Sequence, residues 1–153
     1  MQGVSLAVAG DALLLSGYRK IRWGRLWQPT LWQTVEYYIG GWEIMKINRI
    51  EHMCEGNGHV IIKELLDEQQ LNGKCGLYAE VTLEPGCSLG FHMHYGESET
   101  YYILTGEGEY NDNGTSYRHV KAGDITFTPD GRGHGLANTG NTDLVFMALI
   151  IKD

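Results

Sequence analysis
Short apolar runs alternate with turn residues over most of this chain, and their spacing predicts strands. Leu77, Ala79, Val81 and Leu83 alternate with Tyr78, Glu80 and Thr82, the period of two that marks a strand with one buried face. The run ends at Glu84-Pro85-Gly86, where proline fixes φ and glycine is free to take φ > 0. Further strands are expected at about 89–95, 99–105, 107–111, 116–120, 124–128, 133–138 and 143–151. Asn113-Gly114 is the strongest hairpin signal, and Gly106, Gly123 and Asn141-Thr142-Asp143 mark other turns. Val60-Ile61-Ile62 reads as an earlier strand, and Asp67 to Leu71 as one helical turn before Asn72-Gly73. Many short strands with regular turns define an all-β fold, of the double-stranded β-helix or jelly-roll kind. The run Leu144 to Ile151 has no polar face. That suits a strand covered on both sides, by the barrel interior and by a second subunit, so a homodimer is expected; cover from the chain's own N-terminal part is the alternative.

Residues 1–44 read differently. They hold all four tryptophans (Trp23, Trp27, Trp32, Trp42) and carry a net charge of +1, against −8 for the remainder. No helical or strand period is sustained there, so the segment is taken as an atypical, poorly ordered extension outside the core. Met45-Lys46-Ile47-Asn48 then reads as a natural start, with 45–153 as the barrel. The competing reading is an aromatic arm packed on a neighbouring subunit. The apolar opening has no preceding basic residue, is interrupted by Asp11 and lacks a clean small-x-small cleavage site. These features argue against a signal peptide and for a cytoplasmic protein.

The 153 residues suit one domain with a real core. A formal charge of −7 argues against a nucleic-acid or anionic-membrane footprint. No apolar run approaches the roughly 18 residues of a membrane span. Cys54, Cys75 and Cys87 are odd in number and irregularly spaced, so neither a disulfide framework nor a Cys-x-x-Cys knuckle is implied.

Two stretches carry candidate chemistry. The first, 86–106, places Gly86, His92, His94, Glu99 and Gly106 at fixed intervals; the second, 123–138, does the same with Gly123, Pro129, Gly131, His134 and Asn138. This pair resembles the double signature of the cupin superfamily at every defining position, over roughly the last two thirds of the chain. Among cupins, the chain resembles the small single-domain proteins described as mannose-6-phosphate isomerase-like. The resemblance assigns His92, His94, Glu99 and His134 as metal ligands. Strand geometry agrees: residues two apart share a face, so His92 and His94 project together and Glu99 on the next strand reaches the same point. Three imidazoles and one carboxylate suit a divalent ion such as manganese, iron, nickel or zinc, with positions left open. A closed structural zinc site would more often use cysteine. His52, His59 and His119 match no motif position and read as surface or packing residues.

Asn138 is expected to tie down a turn through its side chain. Tyr101, two residues after Glu99, should face the same interior, where a phenol beside a cation suits proton transfer; an interior aromatic with a satisfied hydroxyl is the competing reading. Arg132 is the candidate contact for a substrate anion, with a solvated surface arginine as the alternative. Phe91, Met93, Ile103, Ile125 and Phe127 read as core, lining the barrel or its dimer face. The resemblance implies a metal-dependent enzyme acting on a small polar metabolite, of dioxygenase, isomerase or lyase type. A non-catalytic metal- or metabolite-binding module is the alternative, because function belongs to the site and not to the fold.

Overall fold
The computed structural model describes the backbone of residues 19–25, 31–39 and 42–153, and side chains from Lys46 onward. Twelve strands are described: β1 (Arg19–Arg25), β2 (Leu31–Ile39), β3 (Trp42–Glu51), β4 (His59–Glu64), β5 (Cys75–Leu83), β6 (Ser88–Met93), β7 (Glu97–Thr105), β8 (Glu107–Asp112), β9 (Ser116–Lys121), β10 (Ile125–Thr128), β11 (Gly133–Asn138) and β12 (Leu144–Lys152). They form an eight-stranded sheet in the order β1-β2-β3-β4-β5-β12-β7-β10 and a four-stranded sheet in the order β6-β11-β8-β9. All pairings are antiparallel. The expected jelly-roll is therefore present.

The core lies between the sheets. Val60, Val81, Leu83, Ile103 and Phe146 from the larger sheet meet Leu89, Tyr110, Val120 and Leu136 from the smaller one, and all are buried. Strand β5 shows how alternation produces this: Ala79, Val81 and Leu83 are buried, while Tyr78, Glu80 and Thr82 are not. The expected helical turn is α1 (Glu68–Leu71), started by a reciprocal cap between Asp67 and Gln70.

Two expectations change. Strands β1, β2 and the start of β3 fall within 1–44, where no strand period is visible. Ladder pairing supplies the reason: β2 pairs β3 from Trp32↔Ile50 to Ile39↔Trp42, and backbone hydrogen bonds need no side-chain alternation. Residues 1–18, 26–30 and 40–41 lie outside the described residues. Of the five residues read as core, only Ile103 is buried in the single chain; Phe91, Met93, Ile125 and Phe127 are exposed. Strand β12 likewise buries Leu144, Phe146 and Ala148, while Val145, Met147 and Leu149 on its other face are half-buried.

The link from β3 to β4 forms a wall over β6. His52, Cys54 and Glu55 all take positive φ, at 51°, 53° and 64°, a conformation disfavoured for residues with a Cβ. The segment is held by His52 N–H to Gly58 O (2.8 Å), Ser88 N–H to Asn57 O (2.8 Å) and the Asn57 side-chain amide to Gly86 O (2.7 Å). It lies so close to β6 that a Cβ on Gly90 would overlap the Cys54 carbonyl, and one on Gly56 would overlap the Ser88 carbonyl. Bare backbone at both glycines is what allows the approach.

Candidate metal centre
One ligand atom from each of His92, His94, Glu99 and His134 lies within 4.8 Å of the other three. Glu99 Oε2 is 2.8 Å from His134 Nε2, 3.2 Å from His94 Nε2 and 3.8 Å from His92 Nε2. Three elements deliver them. His92 stands on β6, Glu99 on β7 and His134 on β11, directly opposite His92 in the β6–β11 ladder. His94 lies just past the end of β6 and is fixed from outside the sheet. Its N–H donates to Arg132 O (2.9 Å) and its carbonyl accepts from Gly131 N–H (2.9 Å). Gly133 permits the close crossing, since a Cβ there would press on His92 O and the Met93 side chain.

The outer nitrogens of the three rings also have partners. His92 Nδ1 lies 3.0 Å from Gly90 O, and His94 Nδ1 lies 2.9 Å from Glu97 Oε1. A carbonyl and a carboxylate only accept, so each Nδ1 carries the proton and each Nε2 presents a lone pair inward. His134 Nδ1 lies 2.8 Å from Thr128 Oγ1 and 3.1 Å from Tyr110 OH.

Burial alone would raise the Glu99 carboxyl, but the imidazoles of His134, His92 and His94 beside it outweigh that and hold the group well below the usual carboxylate range. The Glu99 carboxylate beside it raises His94, against the opposing effect of burial, and Glu97 adds to the rise. Burial lowers His134, overriding the pull of Glu99. An ionised carboxylate therefore sits among imidazoles.

Ligands about 2.1 Å from an ion and at right angles to one another lie about 3 Å apart. Two of the nitrogens around Glu99 Oε2, at 2.8 and 3.2 Å, lie near that spacing and the third, at 3.8 Å, somewhat beyond it; inward nitrogen lone pairs facing an anionic oxygen are a donor set for a cation. These four residues fit a divalent metal and would hold it.

Tyr101 lies on the interior face of β7, 1% exposed, with its hydroxyl 3.2 Å from His134 Nε2 and its ring stacked on that imidazole at 4.7 Å. Burial, followed by the charge of Glu99, pushes the phenol well above its ordinary value, so it is held as a neutral hydrogen-bond donor. His92, His94, Glu99 and Tyr101 line a cavity of about 200 Å³, and His134 stands behind them against Glu99 and Tyr101. At about 30 Å³ per water, that is room for on the order of seven waters. The rest of the lining is largely apolar, including Val60, Ile62, Leu77, Leu89 and Phe146, and among the described residues no Lys or Arg contributes to it. Arg132 is exposed and outside that lining; its described contribution is the backbone carbonyl that anchors His94.

Glu97, Tyr110, Thr128 and the Gly90 carbonyl were not singled out by sequence reasoning. Alternation along β7, β8 and β10 would have turned them inward, but nothing in it separates a ring-holding group from ordinary core. His59, read as a packing residue, is buried, with Arg49 Nη1 at 2.8 Å and Glu84 Oε2 at 3.3 Å.

The family model of the cupin domain matches residues 79–150. An oxalate-binding protein of Thermotoga maritima is 48% identical over 103 residues, covering 67% of this chain and 84% of that protein. The chain belongs to the cupin family. Its fold superposes on a crystal structure of a predicted oxalate decarboxylase from Thermotoga maritima with a TM-score of 0.68 and 46% identity, covering 71% of this chain and 94% of the other. Oxalate decarboxylase of Bacillus subtilis is 30% identical over 79 residues, which is 49% of this chain and only 20% of that protein. Among the described residues, no helix is long and apolar enough to cross a membrane.

Proposed function
We propose that this protein binds a divalent metal ion through His92, His94, Glu99 and His134 and, through that ion, a small chelating dicarboxylate of the size of oxalate. The supporting observation is the pairing of a four-ligand donor set with a cavity that has no cationic side chain. A dianion in such a space needs its charge met from the metal, since a buried unpaired charge is costly. The protein's own contributions are the neutral Tyr101 phenol, which would donate to a bound oxygen, and an apolar wall that excludes water. The resemblance to an oxalate-binding protein supports the same ligand. A sugar phosphate fits less well, because no Lys or Arg meets the phosphate inside the cavity, and Arg132 receives no role in holding the ligand.

Calorimetric titration tests this. Zinc- or manganese-loaded protein should bind oxalate and show no comparable heat with acetate, and metal-free protein should bind neither. Equal binding of acetate, or oxalate binding without metal, overturns the reading. A second reading, turnover, is favoured by the Tyr101 hydroxyl beside the ligand atoms. Formate and carbon dioxide from oxalate would establish a lyase, and Tyr101→Phe should then abolish release while retaining metal. Oxalate recovered unchanged leaves the binding module.

We also infer a homodimer through the outer face of the large sheet. Ile125 and Phe127 on β10 are 61% and 60% exposed, and Ile125 is in register with Tyr102 on β7, which in turn pairs Met147 on β12. The strip is contiguous and free of charged side chains at these positions, as a two-fold self-contact requires. Light scattering should give a dimer, converted to monomer by Ile125→Glu with Phe127→Glu; a monomeric parent protein overturns this. Residues 45–153 are inferred to be the working unit, because the β3–β4 ladder runs from Lys46 to Glu51 and so closes without residues 1–44. A 45–153 chain should take up zinc as the full chain does, and loss of uptake would show the extension to be needed.

A further inference from the structure
The cavity beside the four candidate ligands is larger than a chelating head group needs. At about 200 Å³ it has room for on the order of seven waters, of which an oxalate-sized chelator displaces roughly half. Strand register shows what borders the remainder. Glu99 on β7 pairs Ile150 on β12, which pairs Leu77 on β5; Tyr101 pairs Ala148; and Phe146 pairs Val81, which pairs Ile62 on β4. Neighbouring strands lie about 4.8 Å apart, so the interior face runs from Glu99 to Leu77 over roughly 10 Å. Ile150, Ala148, Leu77, Val81 and Ile62 all line the cavity along that face.

Two features narrow what can lie there. The wall is hydrocarbon: Val81, Phe146 and Ala148 are buried and offer no side-chain polar atom. Water against such a surface lacks the two to four polar partners that hold a buried water, and replacing poorly held water by an apolar group is favourable. The second feature is charge. Glu99 and Glu97 border the same cavity, and among the described residues no Lys or Arg does. Each further negative charge on a guest is therefore costly. A head with one carboxylate and a neutral carbonyl oxygen keeps the spacing of two oxalate oxygens and carries one charge fewer.

We propose that this wall is a subsite for the tail of a 2-oxo monocarboxylate, whose head occupies the metal site and whose short, branched aliphatic chain lies along Ile150, Ala148 and Leu77. The inference rests on the metal-site reading above and widens the class of ligand that site takes. Ala148 is the residue that sets the room for the tail: it is the smallest side chain of the wall and sits beside Tyr101 in the ladder, one strand from the ligand Glu99. The tail contributes affinity through burial alone, so the subsite discriminates by length and branching and not by hydrogen bonding.

Calorimetry of the zinc-loaded protein with pyruvate, 2-oxobutanoate and 3-methyl-2-oxobutanoate reads the subsite directly. Each added carbon should tighten binding by about three- to fourfold, so the branched acid should exceed pyruvate by about tenfold. The acid 3-methylbutanoate, which has the tail without the carbonyl, should bind far more weakly than its 2-oxo counterpart. Affinity that stays level or falls as the tail grows, or 3-methylbutanoate bound equally well, overturns the subsite; oxalate binding by the same protein then leaves the metal-site reading standing. Ala148→Val, a side chain at home in a strand, fills part of the space given to the tail. It should reduce the preference for the branched acid over pyruvate to about threefold or less. A variant that holds zinc and keeps the parent's preference overturns the subsite, and if the variant fails to hold zinc the ligand series on the parent protein decides. A parent protein that takes up no zinc overturns both readings.

Discussion

His92→Ala and His134→Ala are each expected to leave the purified protein without stoichiometric metal. Loss of an outer partner of a ligand typically costs about 10- to 100-fold in metal affinity, so loss of the ligand itself should exceed about 100-fold. His134 is the more damaging position. It is fully buried, lies opposite His92 in the ladder and touches Glu99, Tyr101, Thr128 and Tyr110. Because ligand binding to the folded state stabilises it, a thousandfold excess of metal over Kd contributes about 4 kcal/mol to the parent protein. For a chain of this length that corresponds to a rise in Tm on the order of 10 °C. Elemental analysis and thermal melts should therefore agree: metal raises the parent's Tm and leaves both variants unmoved. Variants with the parent's metal content would sink the ligand assignment.

Gly90→Ala is expected to be the most disruptive single methyl group in the barrel. The added Cβ would overlap the Cys54 carbonyl and press on Gly56 N, and both are backbone atoms that no rotamer change can move aside. Overpacking of this kind costs about 1–3 kcal/mol, and occasionally more. The consequence reaches the metal centre, since Gly90 O holds His92 Nδ1 and β6 carries His92 itself. Thermal melts should show a Tm fall in metal-free protein together with weaker zinc uptake. Gly86→Ala is the control: its surroundings are open, so its cost is confined to the positive φ of 79°. If Gly90→Ala melts no lower than Gly86→Ala, the tight crossing of the 52–58 segment over β6 is not what the packing implies.

The barrel and the four inward groups at its centre were legible because each rests on a short-range rule. Period two in β5, Asn113-Gly114 between β8 and β9, and the His-x-His pair all announce a geometry within a few residues. Asn138 behaved likewise: its side-chain amide donates to Leu83 O and Thr142 O, tying down the turn as asparagine does. What escaped depends on contacts distant in sequence. Thr128 matters because a strand elsewhere puts Tyr110 against it, and Glu97 because the chain folds back past His94. The exposed Phe91, Ile125 and Phe127 mislead for a related reason, since an apolar residue in a strand alternation does not say whether its partner is the core or another molecule. Strands within 1–44 were invisible because they follow from pairing to β3 and β2, not from their own pattern.

Among the described residues no lysine or arginine lines the cavity, which bears on the order in which a metal and an anion would enter. On the proposed reading, an anion arriving alone would meet the carboxylates of Glu99 and Glu97, offset only by the imidazoles beside them, so a cation would have to enter first. If both bind as proposed, stripping the metal with an external chelator should wait on departure of the anion, and the two would leave in the reverse of the order in which they came.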